Sequence, residues 1–359
     1  MKNRYIYTVD FDKIKNDKFH DECGVFGIIN SQYAANSVRY ALYSMQHRGQ
    51  ESAGIASAHL GRINLYKSSG LVNDIFSDRI IFDYLPGDTA IGHNRYVTFG
   101  GSKIENIQPF VEYIDDQWIA IAHNGHIINT PELRCALEIT GVHFESSGDT
   151  EVILKLIANS PEHNIIDKIT DALKKTIGAY SLVFLLKDMM IAVRDPHGFR
   201  PLSFARKGDE WSVASESCAF DVLKMEYIRP IEAGEMMIFR KGEKPLSLFP
   251  FDEPEQTSAC VFEFIYFARP DSFVFGKQVD IIRRRLGEHL ALEHPVNNAD
   301  VVIPIPDSSN TAAVGYADRL SLRCEPGILR NHYIGRTFIE PLQVIREFAV
   351  RMKYSVVRN

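Results

Sequence analysis

The chain has 359 residues, 45% hydrophobic and 24% charged, with a formal net charge of −6. This ordinary globular balance, slightly acidic, gives no electrostatic reason to expect nucleic acid or an anionic membrane as partner, and no stretch approaches the roughly 18 apolar residues of a membrane span. Five widely spaced cysteines without a CxxC pair argue against a disulfide framework or zinc site and fit a reducing cytoplasm. In chain order, the opening Met1–Glu22 mixes lysines with acids around no apolar centre, so it is not a secretory signal. "CGVFGIIN", from Cys23, predicts a buried strand. "SVRYALYSMQHRGQES" predicts a helix with Val38, Ala41, Leu42 and Met45 on one face. Strand-like runs then alternate with glycine-rich turns through "DTAIGHNRYVTFGG" and "DQWIAIAHNGHIIN". Helical patterns follow in "GDTEVILKLIANS" and in "IIDKITDALKKT", where Ile166, Ile169 and Leu173 share a face. "AYSLVFLLKDMMIAVRDPHGFRPL" predicts a hairpin broken at Lys187-Asp188, and "EWSVASES" and "EMMIFRKG" add strands.

The length predicts two domains. The polar, Pro-containing Pro250–Ala259 is a plausible linker. Beyond it, "VDIIRRRLGEHLALEH" predicts an amphipathic helix. "ADVVIPIPDSS" predicts a buried parallel strand leading into a helix, which begins an α/β domain.

Five stretches join polar residues and glycines to apolar strands: "HRGQESAGIA" (47–56), "GHNRYVTFGG" (92–101), "AHNGHIIN" (122–129), "GDTE" (148–151) and "RDPHGFRPL" (194–202). Glycines there let backbone approach a ligand closely. Each candidate residue also has a plain structural reading. Cys23 reads locally as a buried thiol, because free cysteine is among the most buried residue types. Asn124-Gly125 reads as a type I′ turn, Arg95 as a surface ion-pair partner, and Asp149 as a helix N-cap. His47, His93, His123, His126 and His197 sit in separate motifs without the i, i+4 pairing of helical zinc sites, so structural hydrogen bonding is expected of each.

Taken in order, the five stretches resemble the class II glutamine amidotransferases. With "FEFIYFARPDS" (262–272) and "NHYIGRTFIEP" (331–341), the run from Cys23 to Arg351 resembles the amidophosphoribosyltransferase branch of that family. The resemblance implies an α+β fold of the N-terminal-nucleophile (Ntn) hydrolase type, a four-layer αββα sandwich, followed by a partial α/β phosphoribosyltransferase-type domain. It divides the chain into a leader (1–22), a glutaminase domain (23–250) and a truncated phosphoribosyltransferase domain (260–359). It implies that the leader is removed between Glu22 and Cys23. Cys23 then attacks glutamine, its freed α-amino group serving as base. An α-amino group ordinarily titrates near pH 7.7–8.0, so an appreciable fraction is neutral at physiological pH. Asn124 and Gly125 would form the oxyanion hole, donors typically worth about 3 kcal/mol each. Arg95 would grip the glutamine α-carboxylate in the bidentate manner of a planar guanidinium, and Asp149 would receive the α-ammonium.

For the second domain the resemblance places Ser308 as a hydroxyl associated with Mg²⁺ and phosphoribosyl pyrophosphate (PRPP), and Tyr333, Gly335 and Arg336 in a loop that closes over PRPP. Cys260 matches a cysteine that ligates an iron–sulfur cluster in some relatives. Clusters normally take four cysteine ligands, the other three matches are not in the sequence, and an ordinary buried thiol is expected. The family's acidic pair and 5′-phosphate loop are also missing from the 359 residues. The expected reaction converts glutamine, PRPP and water to 5-phosphoribosylamine, glutamate and pyrophosphate in de novo purine biosynthesis, with only the glutaminase half complete in this chain. Taken alone, the chain is expected to hydrolyse glutamine without making phosphoribosylamine, with the strand "ADVVIPIP" exposed and the second domain less stable. The alternatives are a split glutaminase supplying ammonia to another chain, or an inert or regulatory fragment binding the full-length enzyme. A cytoplasmic homo-oligomer, or pairing with a complementary chain, completes the expectation.

Overall fold

The computed structural model describes residues 23–95, 104–254, 256–334 and 343–358. The expected leader, and Gly335 and Arg336, lie outside these residues. Two antiparallel sheets dominate. The first contains β1 (Gly24–Ile29), β2 (Ser52–His59), β3 (Arg62–Ser69), β4 (Thr89–Arg95), β9 (Ser203–Lys207), β10 (Glu210–Ala214) and β11 (Glu226–Pro230). Its spatial order is β11-β9-β10-β1-β4-β2-β3. The second contains β5 (Phe110–Ile114), β6 (Gln117–Ile127), β7 (Gly178–Leu185), β8 (Met189–Arg194), β12 (Met236–Arg240) and β13 (Leu246–Leu248), in the order β13-β12-β8-β7-β6-β5.

Strand alternation explains the layering. In β1, Val25 and Ile29 face the second sheet, while Phe26 and Ile28 face helices, and all four are essentially inaccessible. A strand covered on both faces reads as a continuous apolar run, which is what "VFGII" is. The outer helices of the first sheet are α1 (Ala34–Ser44), α2 (Val72–Ile75), α3 (Ile80–Asp83) and α7 (Cys218–Leu223). α1 contributes Val38, Ala41 and Leu42 to this core, and Met45 follows at its end. The second sheet turns Ile121, Leu182, Phe184 and Ile191 toward α4 (Thr130–Ile139), α5 (Asp149–Ala158) and α6 (Ile165–Lys174). Each such side chain gains roughly 1.5–3 kcal/mol from burial. The result is the αββα sandwich implied by the resemblance, and the hairpin over 178–194 forms as expected.

Among the described residues, 249–254 and 256–261 form no regular element. A π-helical turn follows at Glu263–Phe267, then the short hairpin β14 (Phe273–Val274) and β15 (Lys277–Gln278). After α8 (Val279–Glu293), β16 (Val301–Val302) leads through α9 (Asn310–Leu320) to β17 (Arg323–Cys324), which pairs with β16 in parallel. β18 (Ile328–Arg330) pairs antiparallel with β19 (Tyr354–Val356), which follows α10 (Gln343–Lys353). The expected parallel strand and helix are both present, but the strand is not buried. Val301 and Val302 are half-covered, and Ile305 is 65% exposed. Among the described residues its pairing partner is a two-residue strand, too short to cover the whole apolar run. α8 and α9 cross at Gly287 and Gly315, so closely that a Cβ on Gly287 would lie 1.8 Å from the Ala312 carbonyl oxygen. Among the described residues no helix is long and apolar enough to cross a membrane.

Candidate active site

Cys23 sits immediately before β1, with 7% of its surface exposed. Three strand ends meet there. β4 pairs with β1 so that Asn94 lies opposite Gly24, and a Cβ on Gly24 would come within 2.4 Å of Asn94 Oδ1. On the other flank, β10 runs into Ser215, whose hydroxyl accepts from the Val25 N–H at 3.1 Å. The third is β6 of the second sheet: Asn124 Nδ2 lies 3.3 Å from the same hydroxyl. Ser215 therefore ties the strand behind Cys23 to Asn124 across the two sheets.

Asn124-Gly125 is not a turn. Both residues pair with β7 inside a strand that continues to Ile127. Gly125 has φ +150°, and a Cβ there would lie 2.0 Å from the Ala179 carbonyl oxygen, so only glycine fits. Asn124 is fully buried with Oδ1 lacking a hydrogen-bond partner. A half-turn of the amide would let the Ser215 hydroxyl donate to Oδ1 and would free the NH₂ group as a donor.

The "HRG" stretch closes the site from the helix side. Arg48 Nε donates to the Cys23 carbonyl oxygen at 3.0 Å. Gly49 is pressed against the backbone at the end of β4, where a Cβ would lie 2.6 Å from Arg95 N. Arg95 is partly exposed and donates through Nη1 to the Asn106 carbonyl, in place of the expected surface ion pair. Its α-carboxylate role would require it to exchange this neutral acceptor for a charged one.

Asp149 is the first residue of α5, and the cap position belongs to Gly148. One carboxylate oxygen accepts from the Ile127 N–H at 3.0 Å. His123 Nδ1 and His126 Nδ1 lie 3.8 and 3.6 Å from the carboxylate. Burial works against ionisation of Asp149, but the neighbouring His123, His126 and Ile127 N–H outweigh it and hold the carboxyl well below the ordinary carboxylate range. His123 is itself fixed: its N–H donates to Gln108 Oε1 at 2.7 Å, and Nδ1 lies 3.0 Å from Thr150 Oγ1. His93 Nε2 is 3.1 Å from the His123 carbonyl oxygen, His47 Nε2 is 2.7 Å from Glu216 Oε1, and His197 Nδ1 is 3.1 Å from the Gln256 carbonyl oxygen. These are the hydrogen bonds expected of them.

The "RDPHGFRPL" stretch supports β7. Asp195 is buried and accepts from the N–H groups of Tyr180 and Phe199. Arg194 donates to the carbonyls of Gly198, Arg200 and Ile231. Sequence reasoning missed Ser215, Gln108 and Thr150, whose hydrogen bonds fix Val25, Asn124 and His123. A lone serine after a strand carries no signal that it bridges two sheets.

The second-domain candidates lie apart. Ser308 is half-buried in the turn 306–309 before α9, and Tyr333 is 97% exposed. Asp307 beside Ser308 is engaged by Arg330. Among the described residues no group of three or more His, Cys, Asp or Glu could hold a metal ion. Cys260 is half-buried rather than buried, with Sγ 4.0 Å from Arg200 Nη1, and is not placed to share a cluster with other described cysteines.

Residues 93–222 match the family model described as a glutamine amidotransferase domain. An Arabidopsis thaliana protein named amidophosphoribosyltransferase 2, chloroplastic, is 46% identical over 347 residues, covering 96% of this chain and 61% of its own length. The amidophosphoribosyltransferase of Rhizobium etli is 41% identical over 361 residues, and the match covers 72% of that protein. The chain belongs to the amidophosphoribosyltransferase family. A solved structure described as the allosteric regulatory enzyme of purine biosynthesis superimposes with a TM-score of 0.87 at 42% identity. The match covers 93% of this chain and 71% of that one. Against the plant amidophosphoribosyltransferase the chain spans about three fifths of the relative's length.

Proposed function

We propose that this chain hydrolyses glutamine at Cys23 and that the ammonia released serves phosphoribosylamine formation in purine biosynthesis. The supporting observation is convergence: Cys23, Arg95, Asn124 and Asp149 come from four separate stretches, yet their neighbours are joined, since Gly24 pairs opposite Asn94, Ser215 bridges Val25 and Asn124, and Asp149 accepts from the Ile127 N–H on the strand of Asn124. In this reading the Glu22–Cys23 peptide bond is cleaved and the freed α-amino group takes the thiol proton. The thiolate attacks the amide carbon of glutamine. The Asn124 amide and the Gly125 N–H stabilise the oxyanion. Collapse of the tetrahedral species expels ammonia, which carries away the proton held by the amine, and water then releases glutamate from the thioester. Arg95 and Asp149 hold the substrate's carboxylate and ammonium. The depressed pKa of Asp149 suits that role, since it keeps the carboxylate charged.

The domain limits 23–250 and 260–359 belong to this reading. So do a PRPP site around Ser308 and Tyr333–Arg336 with Mg²⁺, a cytoplasmic location and a homo-oligomeric or complementary-chain assembly. Glutamine hydrolysis by the purified protein, with intact-mass analysis, tests the core of the proposal. Active protein should begin at Cys23, and Cys23→Ala should bind glutamine without turning it over. Turnover by Cys23→Ala, or full activity with Met1 still attached, would overturn it.

A further inference from the structure

Arg48 is 2% exposed, and its guanidinium meets two carboxylates that are wholly inaccessible. Nη1 lies 2.6 Å from Glu216 Oε1 and 2.8 Å from Glu263 Oε2, and Nη2 lies 2.6 Å from Glu263 Oε1. Glu263 thus grips Arg48 bidentately from the π-helical turn, 215 residues from Arg48 and beyond the segment 249–261. The Nε donor is directed at the Cys23 carbonyl.

We propose that Glu263 is a positioning residue for glutamine hydrolysis, acting through Arg48 on the backbone of Cys23. The proposal rests on the reading of Cys23 as nucleophile. The physical reason lies in what cleavage before Cys23 removes. A residue at a free N-terminus loses the restraint of a preceding peptide unit. The orientation of its Cα, and so of its thiol and amine, then depends on its own carbonyl and the strand after it. Arg48 holds that carbonyl, and a guanidinium with both outer nitrogens fixed by carboxylates has little freedom left. Glu216 is committed elsewhere as well: it accepts from the Arg269 N–H at 3.0 Å and the Ser272 hydroxyl at 2.9 Å, and it faces His47. The turn bearing Glu263 is itself clamped, because Arg283 of α8 donates to the carbonyls of Phe264 and Ala268. Arg200 Nη1 also lies 3.7 Å from Glu263. A segment outside the two sheets therefore completes the support of a residue at the start of the first sheet's central strand.

The test compares wild type, Glu263→Gln and Glu263→Asp in the full chain, with Cys23→Ala as control. Active sites are counted by stoichiometric alkylation of Cys23 read by mass spectrometry. Glu263→Gln should lower kcat per counted site at least tenfold, with KM for glutamine within twofold, because the substrate contacts proposed for Arg95 and Asp149 are elsewhere. Glu263→Asp, which keeps the charge on a shorter arm, should recover part of the loss and remain at least threefold below wild type. A merely structural role would reduce the number of alkylatable sites and leave kcat per site unchanged. Wild-type kcat per site in Glu263→Gln, or in Glu263→Asp should the first variant not fold, overturns the inference. If Cys23→Ala is inactive while the Glu263 variants match wild type, this inference alone fails. Turnover by Cys23→Ala removes the reading beneath it.

Discussion

At the scale of single residues, His93 has the clearest measurable signature. It is fully buried on β4, and burial, with Arg95 and His123 beside it, lowers its pKa from 6.5 to about 3. The unfolded chain binds a proton at this residue below its ordinary pKa, whereas the folded chain does not until near pH 3. Stability from His93 is therefore intact above pH 6.5 and is lost as pH falls from there toward 3, by up to about 1.4 kcal/mol per pH unit. His93→Gln should flatten the acid side of the stability profile by one proton between pH 6 and 4. Urea unfolding at several pH values would show this. An unchanged slope would mean that His93 already titrates normally in the fold. Asp149 bends the same profile at lower pH. Its depressed pKa stabilises the fold above pH 4, and that contribution fades as pH falls toward the folded-state value.

At the scale of elements, the helix pair α8 and α9 depends on two glycines that no hydrophobic pattern would single out. Gly287→Ala would drive a methyl group into the Ala312 carbonyl. The helices must separate, and overpacking of this kind typically costs about 1–3 kcal/mol. Hydrogen exchange in 279–293 and 310–320 should accelerate while exchange in β1 and β7 stays as it was. Unchanged protection of α8 and α9 would show that the crossing is looser than its geometry indicates. The same helices show what is readable in advance. α1 and the 178–194 hairpin are legible because their burial follows a local signal, a 3.6-residue period in one and the Lys187-Asp188 break in the other. The layers are legible through resemblance. Asn124-Gly125 is locally misleading. Asn-Gly usually makes a hairpin turn, yet here the glycine is demanded by the approach of Ala179 on the neighbouring strand. The Arg48–Glu263 pair leaves no local trace, because two charged residues 215 positions apart each look like solvated surface until the fold buries them. The strand at 301–305 is less buried than its residues predict, because apolar composition reports a demand for cover and not its supply.

At the scale of the whole molecule, the proposed chemistry is divided between two sheets. Cys23 and Arg95 belong to the first, Asn124 and Gly125 to the second, and Asp149 to the helix packed outside the second. No single element holds a complete site, so relative placement of the layers matters as much as the residues themselves. The two-stranded pairs of the C-terminal region lack such layering, and their exposed Ile303, Ile305 and Leu329 agree with a less protected part of the fold.

The contact between the sheets sets small side chains among large ones such as Phe204, Phe239 and Met237: Ala56 and Ala58 on β2, Ala120 and Ala122 on β6, Ala192 on β8, with Gly27 of β1 set against Met190 and Val183. Such a lining works like a shim between two machined plates. In the proposed reading its thickness would set the clearance between Cys23 on one plate and Asn124 and Gly125 on the other. Ala192→Leu touches no proposed catalytic group, yet it should thicken the shim. We expect a melting temperature lowered by a few degrees, in line with about 1–3 kcal/mol of overpacking, and a kcat for glutamine that falls further than KM rises. A variant that melts earlier but keeps its kcat would show the clearance to be set elsewhere. Alignment of this kind is inherited by every residue at the seam, so the proposed catalysis would depend on methyl groups that take no part in its chemistry.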